Sequence, residues 1–266
     1  MFLSLLNVDT GDNRPGRTWL RNLYHVHQRL CMAFPSADRK SHDKDFLQPF
    51  KPDDFGNGQV HVRRQADSGF LFRIDPLPSG RAAILVQSAI EPDWGYAFHN
   101  AGYLLAAPPE WKPFDPGFTV GQRLRFRLVA NPMKKVDTIK KEIRERSTSE
   151  QLKEIKGRHG RRVPVPDDKL CEWLIRRAEG AGFVIDEKST TVQTTYIYFK
   201  KSDKKQKDSA EDKQKDEKSR LRSVRYDGVL EVTDADKFRD ALICGIGSGK
   251  AFGFGLLSVA LHVEAK

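Results

Sequence analysis

Hydrophobic positions along the chain divide it into two similar series of strands and helices. In the first series, residues 2–8 predict a strand, and residues 19–34 predict a helix with Thr18 as its N-cap. Apolar segments at 70–74 and 81–87 flank a PLPSG turn and predict a hairpin. The pattern of the first half therefore predicts the order strand, helix, strand, strand.

A proline-rich segment separates the two series. Pro108, Pro109, Pro113 and Pro116 interrupt the pattern, and after them it starts again. The second series predicts a strand, a helix, two strands, a helix and a strand, at residues 122–130, 168–179, 192–199, 223–232, 235–244 and 256–263. This β-α-β-β-α-β order is ferredoxin-like, and RNA-binding sheet domains also use it.

The whole pattern favours an α+β fold of two tandem ferredoxin-like (RRM-like) domains. We expect an N-terminal domain at 1–107, a Pro-rich linker at 108–118 and a C-terminal domain at 119–266. The first domain is a partial copy, because its last helix and strand have no clear pattern and are expected within 92–107. Three polar segments interrupt the domains and are interpreted as insertions, at residues 38–68, 134–162 and 200–218.

The net charge of +10, from 46 Lys and Arg against 36 Asp and Glu, favours a polyanionic partner. Nucleic acid is the commonest polyanion of the cytoplasm, and an anionic membrane surface is the alternative. The sequence has no Lys-rich amphipathic helix with an aromatic insertion face, and no apolar run of roughly 18 residues. We therefore expect a nucleic-acid partner and no membrane.

The cysteines and histidines do not predict a metal site. The chain has three cysteines, Cys31, Cys171 and Cys244, and none forms a CxxC pair. This pattern supports neither a disulfide framework nor a cysteine zinc site, and a reducing cytoplasm is the expected location. The sequence has no HExxH motif, although a site built from other histidines or carboxylates stays open.

The segment LYHVHQRL, residues 23–30, contains the first candidate for chemistry. At about 100° per residue, an apolar stripe forms from Trp19, Leu23, Val26, Leu30 and Ala33. His27 lies about 80° from the centre of this stripe, Tyr24 lies on the same side, and His25 points nearly opposite. A histidine at such a margin can transfer a proton near neutral pH, and a neighbouring tyrosine can orient a hydroxyl or a phosphate. A purely structural pair is the alternative interpretation.

Five glycines between the last helix and the last strand form the second candidate, at positions 245, 247, 249, 253 and 255 (GIGSGKAFGFG). Glycines at this density indicate positive φ or close packing, and their N–H groups can bind phosphate oxygens. A Walker A loop is excluded, because Cys244 takes a glycine position and Ala251 replaces the Ser or Thr. A Rossmann loop is excluded because this loop follows a helix. A glycine-lined contact between two domains is the alternative.

The segment KGRHGRR, residues 156–162, concentrates positive charge around two glycines. A basic loop that can bend suits phosphate contacts along a nucleic-acid helix. A solvated surface loop is the alternative interpretation.

Four ordered segments resemble the CasE family, the precursor-RNA endoribonucleases of type I-E Cascade complexes in CRISPR systems. They are LYHVHQRL (23–30), VQSAIEPDW (86–94), GQRLRFRLVANPMK (121–134) and GSGKAFGFGLLSVA (247–260). The resemblance implies a tandem ferredoxin-like fold and metal-independent cleavage of CRISPR precursor RNA within its repeat hairpin. It also implies the repeat RNA and the other Cascade subunits as partners.

The resemblance further implies roles for individual residues. The catalytic Tyr and His of the family match Tyr24 and His27, and a basic residue that follows the His matches Arg29. The hairpin-binding basic loop implies RNA contacts from Arg158, Arg161 and Arg162. We expect the glycine-rich loop to contact RNA as well, through Gly245, Gly247, Gly249, Lys250, Gly253 and Gly255.

The expected reaction is attack of an RNA 2′-hydroxyl on the adjacent phosphorus, which leaves a 2′,3′-cyclic phosphate and a 5′-hydroxyl. His27 would act as base or acid, and Tyr24 would align the reacting groups. The product is expected to stay bound as part of an antiviral Cascade complex. A non-catalytic subunit that caps the guide RNA hairpin is the alternative function, and a structural protein of a ribonucleoprotein is a third.

Overall fold

The first half of the chain forms a four-stranded antiparallel sheet with its helices packed against it. The structure, a computed structural model, describes residues 1–34, 69–137, 160–199 and 219–262. The elements of this half are β1 (Phe2–Asp9), α1 (Arg14–Leu20), α2 (Leu23–Cys31), β2 (Phe70–Leu77), β3 (Arg81–Ser88), α3 (Trp94–Phe98) and β4 (Glu110–Pro113). The strands lie in the order β2-β3-β1-β4, which is a ferredoxin-like arrangement.

Alternation along β1 turns one face of this sheet towards a hydrophobic core. Leu6 and Val8 are fully buried, and Ile84 of the neighbouring strand β3 is buried with them. Val26 and Leu30 of α2 belong to the same cluster. Burial of each such side chain stabilises the fold by about 1.5–3 kcal/mol, so the apolar stripe fixes which face of α2 turns inward.

The single helix predicted at 19–34, with Thr18 as its N-cap, is wrong. The segment is split into α1 and α2, and Thr18 lies inside α1. The physical cause is Asn22, whose side-chain oxygen accepts two backbone N–H groups and starts a new helix at Leu23. Asn13 caps α1 in the same way.

The second half repeats the arrangement and adds a separate two-stranded ribbon. Its elements are β5 (Arg123–Ala130), β6 (Met133–Asp137), β7 (Gly160–Pro164), α4 (Leu170–Gly180), β8 (Phe183–Ile185), β9 (Thr191–Phe199), β10 (Ser219–Val232), α5 (Ala235–Cys244) and β11 (Leu257–Leu261). The main sheet has the order β11-β5-β10-β8, and β9 also pairs with β10. The chain is therefore a tandem ferredoxin-like protein, as predicted.

Two parts of the architecture differ from the expectations. Strand β4 pairs with β1 at residues 110–113, so this part of the predicted linker belongs to the first sheet. Strands β6 and β7 pair with each other, and they lie at the two ends of the segment 134–162 that we interpreted as an insertion. The predicted insertions at 38–68 and 200–218 lie outside the described residues.

The two domains contact each other through α2, β2 and β3 of the first and through α5, its following loop and β11 of the second. Gln87 of β3 is buried, and its Nε2 donates to the carbonyl oxygen of Leu242 at 2.5 Å. Arg73 of β2 donates from Nη1 to Oγ of Ser258 at 2.8 Å, and the carboxylate of Asp75 holds the same guanidinium. Because buried polar groups are costly to leave unpaired, these bonds fix one domain against the other.

Gly182, between α4 and β8, provides a stability test of the second domain. Its φ is +75°, and an added Cβ would lie 2.4 Å from the carbonyl oxygen of Asp234. We expect Gly182→Ala to lower the free energy of unfolding by about 3 kcal/mol, measured by urea denaturation. Gly180→Ala is the matched control, because nothing lies within 4 Å of its Cβ position. The control should change stability by no more than about 1 kcal/mol, and equal effects of both variants would contradict the packing.

Candidate active site and nucleic-acid interface

Tyr24 and His27 lie on the first two turns of α2, on the same side of the helix. Asn22 fixes the start of that helix, because its Oδ1 accepts from the backbone N–H of Tyr24 at 3.1 Å and of His25 at 3.4 Å. Tyr24 is 44% exposed, whereas His27 is half-buried. Their three-residue spacing puts both side chains within reach of one group bound at the helix surface.

Neighbouring side chains hold the His27 imidazole in a defined plane. The ring centroids of Phe70 and Phe72, both on β2, lie 5.4 Å and 6.2 Å from that of His27, in stacked orientations. Sγ of Cys31, one turn further along α2, lies 3.6 Å from Nε2 of His27. The imidazole is thus oriented by its surroundings, as proton transfer by a positioned group requires.

The glycine-rich segment after α5 meets His27 at Phe72. A short 3-10 turn in this segment, Lys250–Phe252, contacts both α2 and β2. Gly249 and Gly253 flank the turn in the left-handed conformation. A Cβ at Gly253 would lie 3.2 Å from Cε2 of Phe72, whose ring stacks on His27. The structure therefore brings the catalytic candidate of the first domain and the glycine-rich turn of the second into one place.

The other glycines of the segment also lie close to protein atoms. A Cβ at Gly245 would lie 2.7 Å from Cδ1 of Leu71 in the first domain. The nearest neighbours of the rest are Trp173 for Gly247, Phe254 for Gly249 and the carbonyl group of Ile246 for Gly255. The glycine-lined domain contact, which was the alternative interpretation, is thus present at Gly245 and Gly253. Their predicted RNA contacts stay predictions.

Backbone contacts tie the glycine-rich segment to the end of β5. Ser248 forms an isolated antiparallel bridge with Asn131. Nζ of Lys250 donates to the carbonyl oxygen of Cys244, which places this side chain across the segment. Strand β6 begins at Met133, two residues after Asn131, so the base of the β6–β7 ribbon lies near Ser248 of the glycine-rich segment.

The β6–β7 ribbon, hereafter the basic ribbon, presents cations on its surface. Arg161 and Arg162 of β7 and Lys134 of β6 are exposed. The register places Arg162 directly opposite Lys135. This pairing concentrates positive charge on the ribbon, and such a surface suits contacts with phosphate groups. Arg158, predicted to act with these residues, lies outside the described residues.

Arg29 lies on a different side of α2 from His27. Its Nη1 donates to the carbonyl oxygen of Ala97 at 3.0 Å, and burial lowers the pKa of the guanidinium. Two residues along the helix correspond to about 200° of rotation. The structure does not bring Arg29 to Tyr24 and His27. Arg29 and His25 instead border a separate cavity of about 600 Å³.

Sequence reasoning missed Phe70, Phe72 and Cys31. The FLF pattern was interpreted only as a strand, although alternate residues of a strand face the same side and place both rings together. Cys31 lies four residues after His27, and this spacing predicts contact along a helix.

Residues 1–34, 69–137, 160–199 and 219–262 contain no group of three His, Cys, Asp or Glu side chains placed to hold a metal ion. They also contain no helix that is both long enough and apolar enough to cross a membrane.

A family model described as "CRISPR associated protein" matches residues 1–260. The chain belongs to this family. The match covers both domains, the helix that carries Tyr24 and His27, and the glycine-rich segment. All residues of the candidate site therefore lie within the part of the chain that the family model matches.

Individual CRISPR-associated proteins match over nearly the same length. The CRISPR-associated endoribonuclease Cse3 of Thermus thermophilus is 33% identical over 263 residues, 98% of this chain and 100% of that protein. The CRISPR system Cascade subunit CasE of Escherichia coli is 27% identical over 245 residues, 92% of this chain and 94% of that protein. The solved structure of Thermus thermophilus Cse3 bound to an RNA representing a pre-cleavage complex has a TM-score of 0.62 at 27% identity. That comparison covers 97% of this chain and 98% of the other.

Gly253→Ala tests the contact between the two domains of this CRISPR-associated protein. We expect the added methyl to displace Phe72 and, with it, the ring that stacks on His27, so that the NMR signals of the His27 ring protons shift. Gly121→Ala is the matched control, because Gly121 has a similar φ of +83° but nothing within 4 Å of its Cβ position. In both variants, backbone strain should lower the free energy of unfolding by about 1 kcal/mol. Unchanged His27 signals in Gly253→Ala would show that the contact does not hold the imidazole.

Proposed function

We propose that this chain is a metal-independent endoribonuclease that cleaves CRISPR precursor RNA within its repeat hairpin. The observation that carries this function is the full-length match to the endoribonuclease Cse3. The placement of His27 near the glycine-rich segment supports it, because an imidazole can transfer a proton and backbone N–H groups can stabilise the charge on phosphate oxygens.

The reaction follows from the chemistry of RNA and of the two helix residues. The 2′-hydroxyl at the cleaved position attacks the adjacent phosphorus, the P–O5′ bond breaks, and a 2′,3′-cyclic phosphate and a 5′-hydroxyl form. His27 transfers a proton to or from the reacting oxygens, and Tyr24 donates a hydrogen bond that aligns the hydroxyl or the phosphate. Positioned proton transfer of this kind contributes about 10²–10⁴-fold in rate. The nucleophile belongs to the RNA, so the step needs no metal-bound water.

The basic ribbon binds the stem of the hairpin. Cations on a narrow ribbon can contact the phosphates of an A-form helix and so recognise its shape. They do not read the bases, because the major groove of A-form RNA is too deep and narrow. Insertion of such a ribbon suits a short stem, because the groove opens at the end of the helix. Sequence preference then comes from the unpaired nucleotides and from the base of the stem.

The chain acts together with the other subunits of a type I-E Cascade complex. The similarity to the Cascade subunit CasE supports this assembly. Retention of the cut RNA hairpin would make the protein a single-turnover enzyme and would anchor it in the antiviral complex. None of the three cysteines forms a disulfide, which is typical of a reducing environment, and this supports a cytoplasmic location.

His27→Ala tests the chemistry. With a labelled repeat RNA in EDTA, we expect wild-type protein to cut once and leave a 2′,3′-cyclic phosphate. His27→Ala should cut at least about 100-fold more slowly, because proton transfer is lost. His25→Ala is the matched control, since His25 is an exposed histidine on the other side of the same helix and should leave the rate unchanged.

Two outcomes would overturn this function. Efficient cutting of RNA with a 2′-deoxy nucleotide at the cleaved position would exclude attack by the 2′-hydroxyl. Tight hairpin binding by wild-type protein without any cleavage would favour the non-catalytic capping subunit.

Arg161→Ala combined with Arg162→Ala tests the basic ribbon. We expect the affinity for the repeat hairpin to fall about 10- to 100-fold. The slope of the logarithm of the binding constant against the logarithm of the salt concentration should become less negative by about 1–2. Arg81→Ala combined with Arg239→Ala removes the same charge from exposed positions on β3 and α5 and serves as control. An equal loss of affinity in the control would assign the effect to net charge alone.

A further inference from the structure

A second ribbon leaves the C-terminal sheet at the same end as the basic ribbon. Val224 of β10 pairs with Ala130, the last residue of β5. Before that point, residues Ser219–Ser223 of β10 pair only with β9 among the described residues. The β9–β10 ribbon therefore projects past the end of β5, where the chain turns into β6.

The two ribbons are joined at their bases. Arg222 of β10 donates to the carbonyl oxygen of Val165, which directly follows β7, and forms an ion pair with Asp167. The backbone N–H of Val165 in turn donates to the carbonyl oxygen of Pro132 at 3.1 Å, immediately before β6. The two ribbons therefore start next to each other and border the same part of the protein surface.

Residue alternation shows which side of the β9–β10 ribbon faces that surface. Tyr196 is paired with Arg222, so both side chains are on the same face. Tyr226, on that face further along β10, is buried, and its hydroxyl donates to the carbonyl oxygen of Leu170 at 3.1 Å. The face of Tyr196 is therefore the face that carries the start of α4 and the base of the basic ribbon.

On this face, Tyr196 and Arg220 form a pair with the chemistry of a nucleobase platform. Tyr196 is 48% exposed, and Cζ of Arg220 lies 5.0 Å from the centroid of its ring. The contact places an aromatic ring and a planar cation side by side on the ribbon. Unpaired RNA bases stack on aromatic rings and on guanidinium planes, whereas paired bases stay within their helix.

The basic ribbon supplies charge for phosphates, and Tyr196 adds the aromatic surface that the basic ribbon lacks in its described residues. We propose that Tyr196 and Arg220 form a second RNA-contact site, on which an unpaired base of the bound repeat RNA stacks. This inference rests on the proposed function, because it assumes that the basic ribbon holds an RNA hairpin. A purely structural cross-strand pair would stabilise the ribbon without contacting RNA.

Binding measurements on the full chain test the proposal. The probe is a repeat hairpin with a 2′-deoxy nucleotide at the cleaved position, so that binding is measured without cleavage. Tyr196→Ala should weaken binding about 10-fold with the salt dependence unchanged, since stacking involves no counterion release. Tyr196→Phe should retain affinity, because it keeps the ring. Arg220→Ala should weaken binding and also make the salt dependence shallower.

A second RNA and a control variant separate base stacking from a structural role. When the unpaired nucleotides of the hairpin are replaced by abasic sites, Tyr196→Ala should bind as tightly as wild type. Gln193→Ala, at an exposed position on the other face of β9, should bind the normal hairpin like wild type.

Either of two results would overturn the inference alone: equal affinity of Tyr196→Ala and wild type for the normal hairpin, or the same loss on the abasic RNA. A wild-type protein that binds repeat hairpin no better than random RNA would instead overturn the proposed function, and this inference with it.

Discussion

The packing of Phe72 is the contact on which the whole site depends. Its ring stacks on His27 from the first domain and lies against Gly253 from the second. Any side chain at position 253 would meet that ring, and a smaller residue at position 72 would leave a cavity beside the imidazole. The contact therefore brings together residues from opposite ends of the chain. The candidate site is formed jointly by the two ferredoxin-like domains.

Under the proposed function, the chemistry of RNA cleavage explains why so few side chains are needed at this contact. The substrate carries its own nucleophile, so the protein has to align the reacting groups and move protons. Affinity can then come from elsewhere. The cations lie on ribbons at one end of the C-terminal sheet, tied to the glycine-rich turn through the bridge between Asn131 and Ser248. Under the proposed function, this separation lets the ribbons hold the RNA stem by shape and charge while the nucleotides at the foot of the stem reach His27.

Sequence patterns predicted the elements whose burial alternates strictly. The segment QRLRFRLVA became β5 because Leu124, Phe126 and Leu128 all face the core. Strand β4 was missed because all four of its residues are exposed. The break between α1 and α2 was missed because Trp19 and Leu23 keep the helical spacing of apolar residues across Asn22. Hydrophobic periodicity does not detect a residue that caps a helix. Helical spacing and the family resemblance singled out Tyr24 and His27, but the stacking on Phe72 is a tertiary contact that no local pattern contains.

A crystal structure of the chain with a 2′-deoxy repeat hairpin tests the central claim most directly. The account predicts that the phosphate at the cleaved position lies between the His27 imidazole and the turn at Lys250–Phe252, within hydrogen-bond reach of both. A phosphate bound elsewhere, with His27 still packed on Phe72 and far from the RNA, would contradict it.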